Sequence, residues 1–111
     1  FSSSQLEHAG RNLLGSKFIG VYPLNKIPYL PTPAALIVNT QTSNLKGEHW
    51  LAIYNREDAV YAFDPLGFYY PNILVSKLQS LSKPIKYNRR RFQDLNSNTC
   101  GKHCLLWLNS F

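Results

Sequence analysis

The chain has 111 residues, of which 44% are hydrophobic and 14% aromatic, with a net charge of +6. That length and apolar content suit a single domain with one modest core and exclude an intrinsically disordered chain. No apolar run is long enough to span a bilayer and no signal peptide is evident, so no membrane partner is expected.

Ser4 and Glu7 have the spacing of a capping box, and Leu6, Ala9, Leu13 and Leu14 follow at helical intervals. They predict a helix from Ser4 to Leu14, ended by Gly15. A stretch with Pro23, Pro28, Pro31 and Pro33 then predicts an extended loop, of the kind that often shapes a substrate groove. Ala35 to Asn39 is a continuous apolar run and reads as a buried strand. Trp50 to Tyr54 and Ala59 to Phe63 read as two more strands, joined by the polar turn Asn55 to Asp58 into an antiparallel hairpin. That pairing brings His49, before the first of the two, and Asp64, after the second, to the same end of the sheet. Ile73, Leu74, Leu78 and Leu81 predict a helix from Asn72 to Leu81, and after Pro84 a strand with a basic face runs from Ile85 to Gln93. Asn96 to Thr99 form a polar loop, and Cys100 opens the last helix, where Cys104, Trp107, Leu108 and Phe111 share a stripe.

Half of the twelve basic residues are Lys77, Lys83, Lys86, Arg89, Arg90 and Arg91, with no acid among them. Lys83, Lys86 and Arg89 to Arg91 are candidate contacts to a polyanion such as DNA. The alternative is an edge strand guarded by charge.

Two cysteines four residues apart on a helix point the same way, and a disulfide between them would be strained. This favours a reducing, intracellular setting. Cys100 follows capping residues at a helix start, where a thiol falls below its usual pKa of about 8.5 and becomes a better nucleophile. Cys104 lies one turn deeper among Leu105, Trp107 and Leu108 and fits a buried structural cysteine. A thiol nucleophile needs a base, a group to orient that base, and an oxyanion donor. His49, Asp64 and Gln93 supply those types, and Gln93 stands seven residues before Cys100. Each also has an ordinary explanation: a strand histidine, a turn former before Pro65, a surface glutamine. His8 reads as a solvated helix residue, and His103 is too close to Cys100 in sequence to serve easily as its base. Cys100, His103 and Cys104 crowd three potential ligands into five residues, which does not match zinc spacings, so no metal is expected.

Five segments carry a resemblance: Phe18-Ile19-Gly20-Val21-Tyr22, Ile37-Val38-Asn39-Thr40, Gly47-Glu48-His49-Trp50, Phe63-Asp64-Pro65-Leu66-Gly67-Phe68 and Asn98-Thr99-Cys100-Gly101. Through them the chain resembles the adenain-type cysteine peptidases of adenoviruses and their relatives in Maverick/Polinton-type transposons. More distantly it is similar to the ubiquitin-like-protein proteases. The resemblance implies an α+β, papain-like or adenain-like fold, with a central mixed or antiparallel sheet packed on the nucleophile helix. It implies a triad of His49, Asp64 and Cys100, with Gln93 in the oxyanion hole and Trp50 narrowing the approach to the thiol. Gly101, directly after Cys100, would let a substrate or another chain approach the backbone closely. The resemblance implies cleavage of viral or capsid precursors near Gly, with no required cofactor and with DNA as a stimulator. A monomer acting inside the cell, in a host nucleus or a virion, is expected.

Two departures from the family pattern stand out. Asp64 occupies a position where the adenovirus enzymes have Glu, as the ubiquitin-like-protein proteases also carry Asp. The family domain continues past its nucleophile helix, so residues 1–111 are expected to be one domain shortened at its C-terminus. The competing functions are a protease for ubiquitin-like conjugates and a non-catalytic, basic nucleic-acid-binding module.

Overall fold

The structure, a computed structural model, describes residues 2–40, 49–65, 67, 70–88 and 100–111. Its centre is a five-stranded mixed sheet in the order β1-β2-β3-β4-β5. The strands are β1 (Phe18–Pro23), β2 (Ala34–Asn39), β3 (Trp50–Asn55), β4 (Val60–Phe63) and β5 (Ile85–Tyr87). The helices are α1 (Ser3–Leu14), α2 (Asn72–Gln79) and α3 (Cys100–Asn109). β2, β3 and β4 pair antiparallel, whereas β1 lies parallel to β2 and β5 parallel to β4.

β3 is the middle strand and is buried at every residue. A strand covered on both faces needs apolar side chains on both, which is why Trp50 to Tyr54 reads as an uninterrupted apolar run. Trp50, Ala52 and Tyr54 face one core with Leu6 of α1, Phe63 of β4, and Cys104, Leu105 and Leu108 of α3. Leu51 and Ile53 face the other with Leu36, Val38, and Leu74 and Leu78 of α2. The molecule is therefore a three-layer sandwich: α1 and α3 on one side of the sheet, α2 on the other. Trp107 stacks on Phe63, with ring centroids 5.1 Å apart and planes 8° from parallel, fixing how α3 lies across β4.

Three expectations need correction. The capping box is made by Ser2 and Gln5, not by Ser4 and Glu7: the Ser2 hydroxyl accepts from Gln5 N–H at 3.2 Å, and the Gln5 side chain accepts from Ser2 N–H at 2.8 Å. Both pairs have the right spacing, and the earlier one moves the cap two residues toward the N-terminus and starts the helix at Ser3. Before the proline-rich loop the chain forms β1, which the sequence reading missed. Its pattern is broken by Gly20, which has a φ of +137° and sits where the register shifts, and by Pro23 at its end. The helix over Asn72 ends at Gln79 rather than Leu81, and β5 is formed over Ile85–Tyr87. Of the predicted Ile85 to Gln93 strand, Arg89 to Gln93 lie outside the described residues.

Candidate active site

His49 immediately precedes β3, and Asp64 immediately follows β4. The register pairs Ala52 with Phe63, and continuing it past the strand ends sets His49 and Asp64 diagonally on one face. There His49 Nε2 lies 2.9 Å from Asp64 Oδ1. The distance is that of a hydrogen bond, but the ring N–H does not point straight along it. Asp64 is fully buried and His49 is 8% exposed. A carboxylate so deeply placed requires a charged or hydrogen-bonding partner, and the imidazole is such a group. The backbone of His49 is fixed from the neighbouring strand: Thr40 N–H and Thr40 Oγ1 both donate to its carbonyl, at 2.9 and 3.2 Å.

Asp64 is also the turn former that its place before Pro65 suggested. Gly67 N–H donates to the Asp64 carbonyl at 2.8 Å, closing a turn with Asp first, Pro second and Gly fourth. Its backbone meets two residues that the sequence reading did not single out. Asn88 Oδ1 accepts from Asp64 N–H at 2.7 Å, and Asn88 Nδ2 donates to the Asp64 carbonyl at 2.7 Å. The Tyr70 hydroxyl also accepts from Asp64 N–H, at 3.1 Å. Neither residue belongs to a recognisable motif: Asn88 meets Asp64 because β5 runs beside β4, and Tyr70 because the chain after β4 turns back on the strand end before α2 begins.

Cys100 is the first residue of α3. The first turn of that helix is seated on Trp50, the residue after His49. A side chain at Gly101 would place its Cβ 2.9 Å from Leu6 Cδ2 and 3.4 Å from Trp50 Cδ1. Cys104 Sγ donates to the Trp50 carbonyl at 3.4 Å. Because Gly101 follows Cys100 and Trp50 follows His49, this seating sets the start of α3 beside the strand end that carries His49. Gly101 is buried between α1 and β3, so packing explains why it is glycine. Trp50 is 2% exposed, with its ring in the core shared with α1 and α3.

Other expected residues lie elsewhere. Gln93, Arg89, Arg90 and Arg91 lie outside the described residues. Lys83 Nζ is engaged by Asn55 Oδ1 at 2.9 Å and the Arg56 carbonyl at 2.8 Å, and Lys86 Nζ sits 5.6 Å from the Tyr61 ring centroid. An open cavity of about 700 Å³ adjoins them, lined by Thr32, Pro33, Tyr54, Arg56, Asp58 and Lys83. It lies at the other end of β3 from His49. His8 contacts Asn12 on the exposed face of α1, and His103 lines an apolar groove with Phe63, Leu106 and Trp107. Among the described residues no group of three His, Cys, Asp or Glu could hold a metal ion, and no helix is long and apolar enough to cross a membrane.

This mixed sheet, with a cysteine-headed helix across one face, has the fold of the SUMO- and adenain-like cysteine proteases. No protein-family model matches the chain. A protease of Bovine adenovirus C serotype 10 is 29% identical over 133 aligned positions, covering 99% of this chain and 66% of that protein. A crystal structure of the ASFV protease superposes with a TM-score of 0.62 over 98% of this chain and 56% of its own, at 14% identity. Its selenomethionine form superposes with a TM-score of 0.54 over 68% of this chain and 34% of its own, at 22% identity. The structural likeness is one of fold. Together with the sequence match it establishes a relationship to the adenain-like cysteine proteases. The chain spans about two thirds of the length of the curated relative and about half or less of the solved ones.

Proposed function

We propose that the chain is the core of a cysteine endopeptidase of a virus or virus-like element, acting on protein precursors. The observation that carries this reading is the buried His49–Asp64 pair, held 2.9 Å apart at the strand end on which the first turn of α3 is seated. An isolated strand histidine has no need of a fully buried carboxylate, whereas a catalytic base does. In this reading the Asp64 carboxylate, 2.9 Å from Nε2, orients the ring and leaves Nδ1 for the thiol.

In this mechanism Nδ1 of His49 takes the Cys100 proton, and Asp64 stabilises the resulting imidazolium. The thiolate attacks the scissile carbonyl carbon. A C–S bond forms and the carbonyl π pair moves onto oxygen, where the Gln93 amide and backbone N–H groups at the start of α3 receive it. Collapse of that intermediate breaks the C–N bond, and the imidazolium protonates the departing amine. Water then attacks the thioester with His49 as base, releasing the acid and regenerating the thiol.

The adenovirus and ASFV relatives are proteases of viruses, which supports precursor cleavage over action on ubiquitin-like conjugates. A peptide library with small residues and Gly around the scissile bond tests this against a Gly-Gly-tailed ubiquitin-like conjugate. Turnover of the peptides that disappears in Cys100→Ala is expected. Turnover of the conjugate alone would reassign the substrate class, and cleavage retained in Cys100→Ala would remove the proposed nucleophile.

A further inference from the structure

The acid of the pair is held by its backbone as firmly as by its carboxylate. Asn88 meets Asp64 with both ends of its side-chain amide, one accepting from the N–H and one donating to the carbonyl, each at 2.7 Å. That is the donor and acceptor set of a peptide group. β4 and β5 are parallel, their last paired residues are Ala62 and Tyr87, and Asn88 N–H still donates to the Ala62 carbonyl at 3.2 Å. The Asn88 side chain therefore continues the ladder past the point where backbone pairing ends, at the residue that carries the acid.

Tyr70 closes the remaining side. Its hydroxyl accepts from Asp64 N–H at 3.1 Å and donates toward Asn88 Oδ1 in a short contact, with the Asn88 carbonyl at 3.2 Å. The Asp64 carbonyl accepts from both Asn88 Nδ2 and Gly67 N–H. With the N–H and the carbonyl both engaged, the main chain of Asp64 cannot rotate without breaking several part-buried hydrogen bonds. Only the side-chain torsions remain to aim the carboxylate, and His49 stands where they aim it.

We infer that Asn88, assisted by Tyr70, is a positioning residue that fixes the backbone of Asp64 so that its carboxylate meets His49. The catalytic consequence rests on the peptidase reading of the site, while the positioning itself does not. Asn88 touches neither His49 nor any proposed reacting atom in the described contacts. Its effect should therefore reach catalysis through the orientation of the imidazole rather than through substrate affinity. An aspartate at this position would keep an acceptor for Asp64 N–H but lose the donor to the carbonyl, and would set a second carboxylate beside the first.

The test compares the full chain, labelled with ¹⁵N in histidine, as parent, Asn88→Ala, Tyr70→Phe and Ser2→Ala. The last removes the remote α1 cap and controls for lost stability alone. Ring-nitrogen resonances of His49 are expected to move in Asn88→Ala, to move less in Tyr70→Phe, and to stay in place in Ser2→Ala. The cleavage turnover number should fall by up to about a hundredfold in Asn88→Ala, the scale of a small misplacement of a catalytic group, with KM little changed. Unmoved His49 resonances in folded Asn88→Ala would overturn the inference. Should that variant not fold, unmoved resonances in Tyr70→Phe would do the same. A parent that cleaves nothing would remove the peptidase reading, and the resonances would still decide whether Asn88 positions the pair.

Discussion

A carboxylate withdrawn from water is tolerated only beside groups that favour its charge, and at Asp64 the His49 ring is one such group. If the pair acts as one base unit, His49→Ala should lower cleavage more than Asp64→Ala, because a poorly oriented imidazole still takes a proton. Asp64→Asn should cost roughly two to four orders of magnitude in turnover, since an amide can donate to Nε2 and favours the wrong tautomer. Equal rates in Asp64→Asn and parent would contradict the assignment. Tyr70 adds a pH dependence of its own. Burial raises its pKa well above the usual 10.0, because an ionised phenol there would be poorly solvated. In the unfolded chain it ionises near its ordinary value. The folded state thus retains the proton longer, and this contribution to stability is complete below about pH 10 and is lost as pH rises toward the folded pKa. Denaturant titrations between pH 9 and 11 should show the parent losing stability faster than Tyr70→Phe. Tyr87, also raised by burial, leaves a residual slope in the variant.

Among the elements, α3 and α1 are set by how closely glycine lets them approach. A Cβ at Gly10 would lie 2.5 to 2.7 Å from three atoms of the rigid, buried Phe18 ring, and one at Gly101 would lie 2.9 Å from Leu6. Overpacking of this kind typically costs about 1–3 kcal/mol. Gly10→Ala should lower denaturant midpoints more than Gly101→Ala, because an aromatic ring yields less than a leucine methyl. Gly101→Ala should lower activity more, because it displaces the turn that begins with Cys100. The same elements show what the sequence revealed and what it hid. β2, β3 and β4 were legible because strands covered on both faces are written as apolar runs, and the hairpin brought His49 and Asp64 together as expected. β1 was hidden because Gly20 and Pro23 interrupt its pattern. The start of α1 was ambiguous because Ser2–Gln5 and Ser4–Glu7 both satisfy the capping spacing. Asn88 and Tyr70 could not be read at all: Asn88 acquires its role from the parallel pairing of β5 with β4, and Tyr70 from the way the chain after β4 turns back on the strand end, and no local pattern encodes either.

Across the whole molecule the two ends of the sheet are built differently. At one end lies the buried pair, and there the first turn of α3 is seated on Trp50, the residue after His49. At the other, Lys83 ties Asn55 to the Arg56 carbonyl, and Asn55 Nδ2 in turn holds the Leu30 and Pro31 carbonyls at 3.2 and 3.0 Å. Lys83 is thus a structural cation more than a free one. Lys83→Met should cost about 1.5–3 kcal/mol, the scale of hydrogen bonds to a charged group. It should change salt-dependent DNA binding, if any, less than replacing Arg89, Arg90 and Arg91 together, as equilibrium titration at several salt concentrations would report. The central claim is that the start of α3, beside the buried His49–Asp64 pair, carries a nucleophile and that the cysteine one turn deeper does not. Labelling the chain with a peptidyl vinyl sulfone and mapping the modified residue by mass spectrometry tests it most directly. Modification of Cys100 that is lost in His49→Ala is the predicted result; modification of Cys104, or labelling of Cys100 unaffected by His49→Ala, would contradict it.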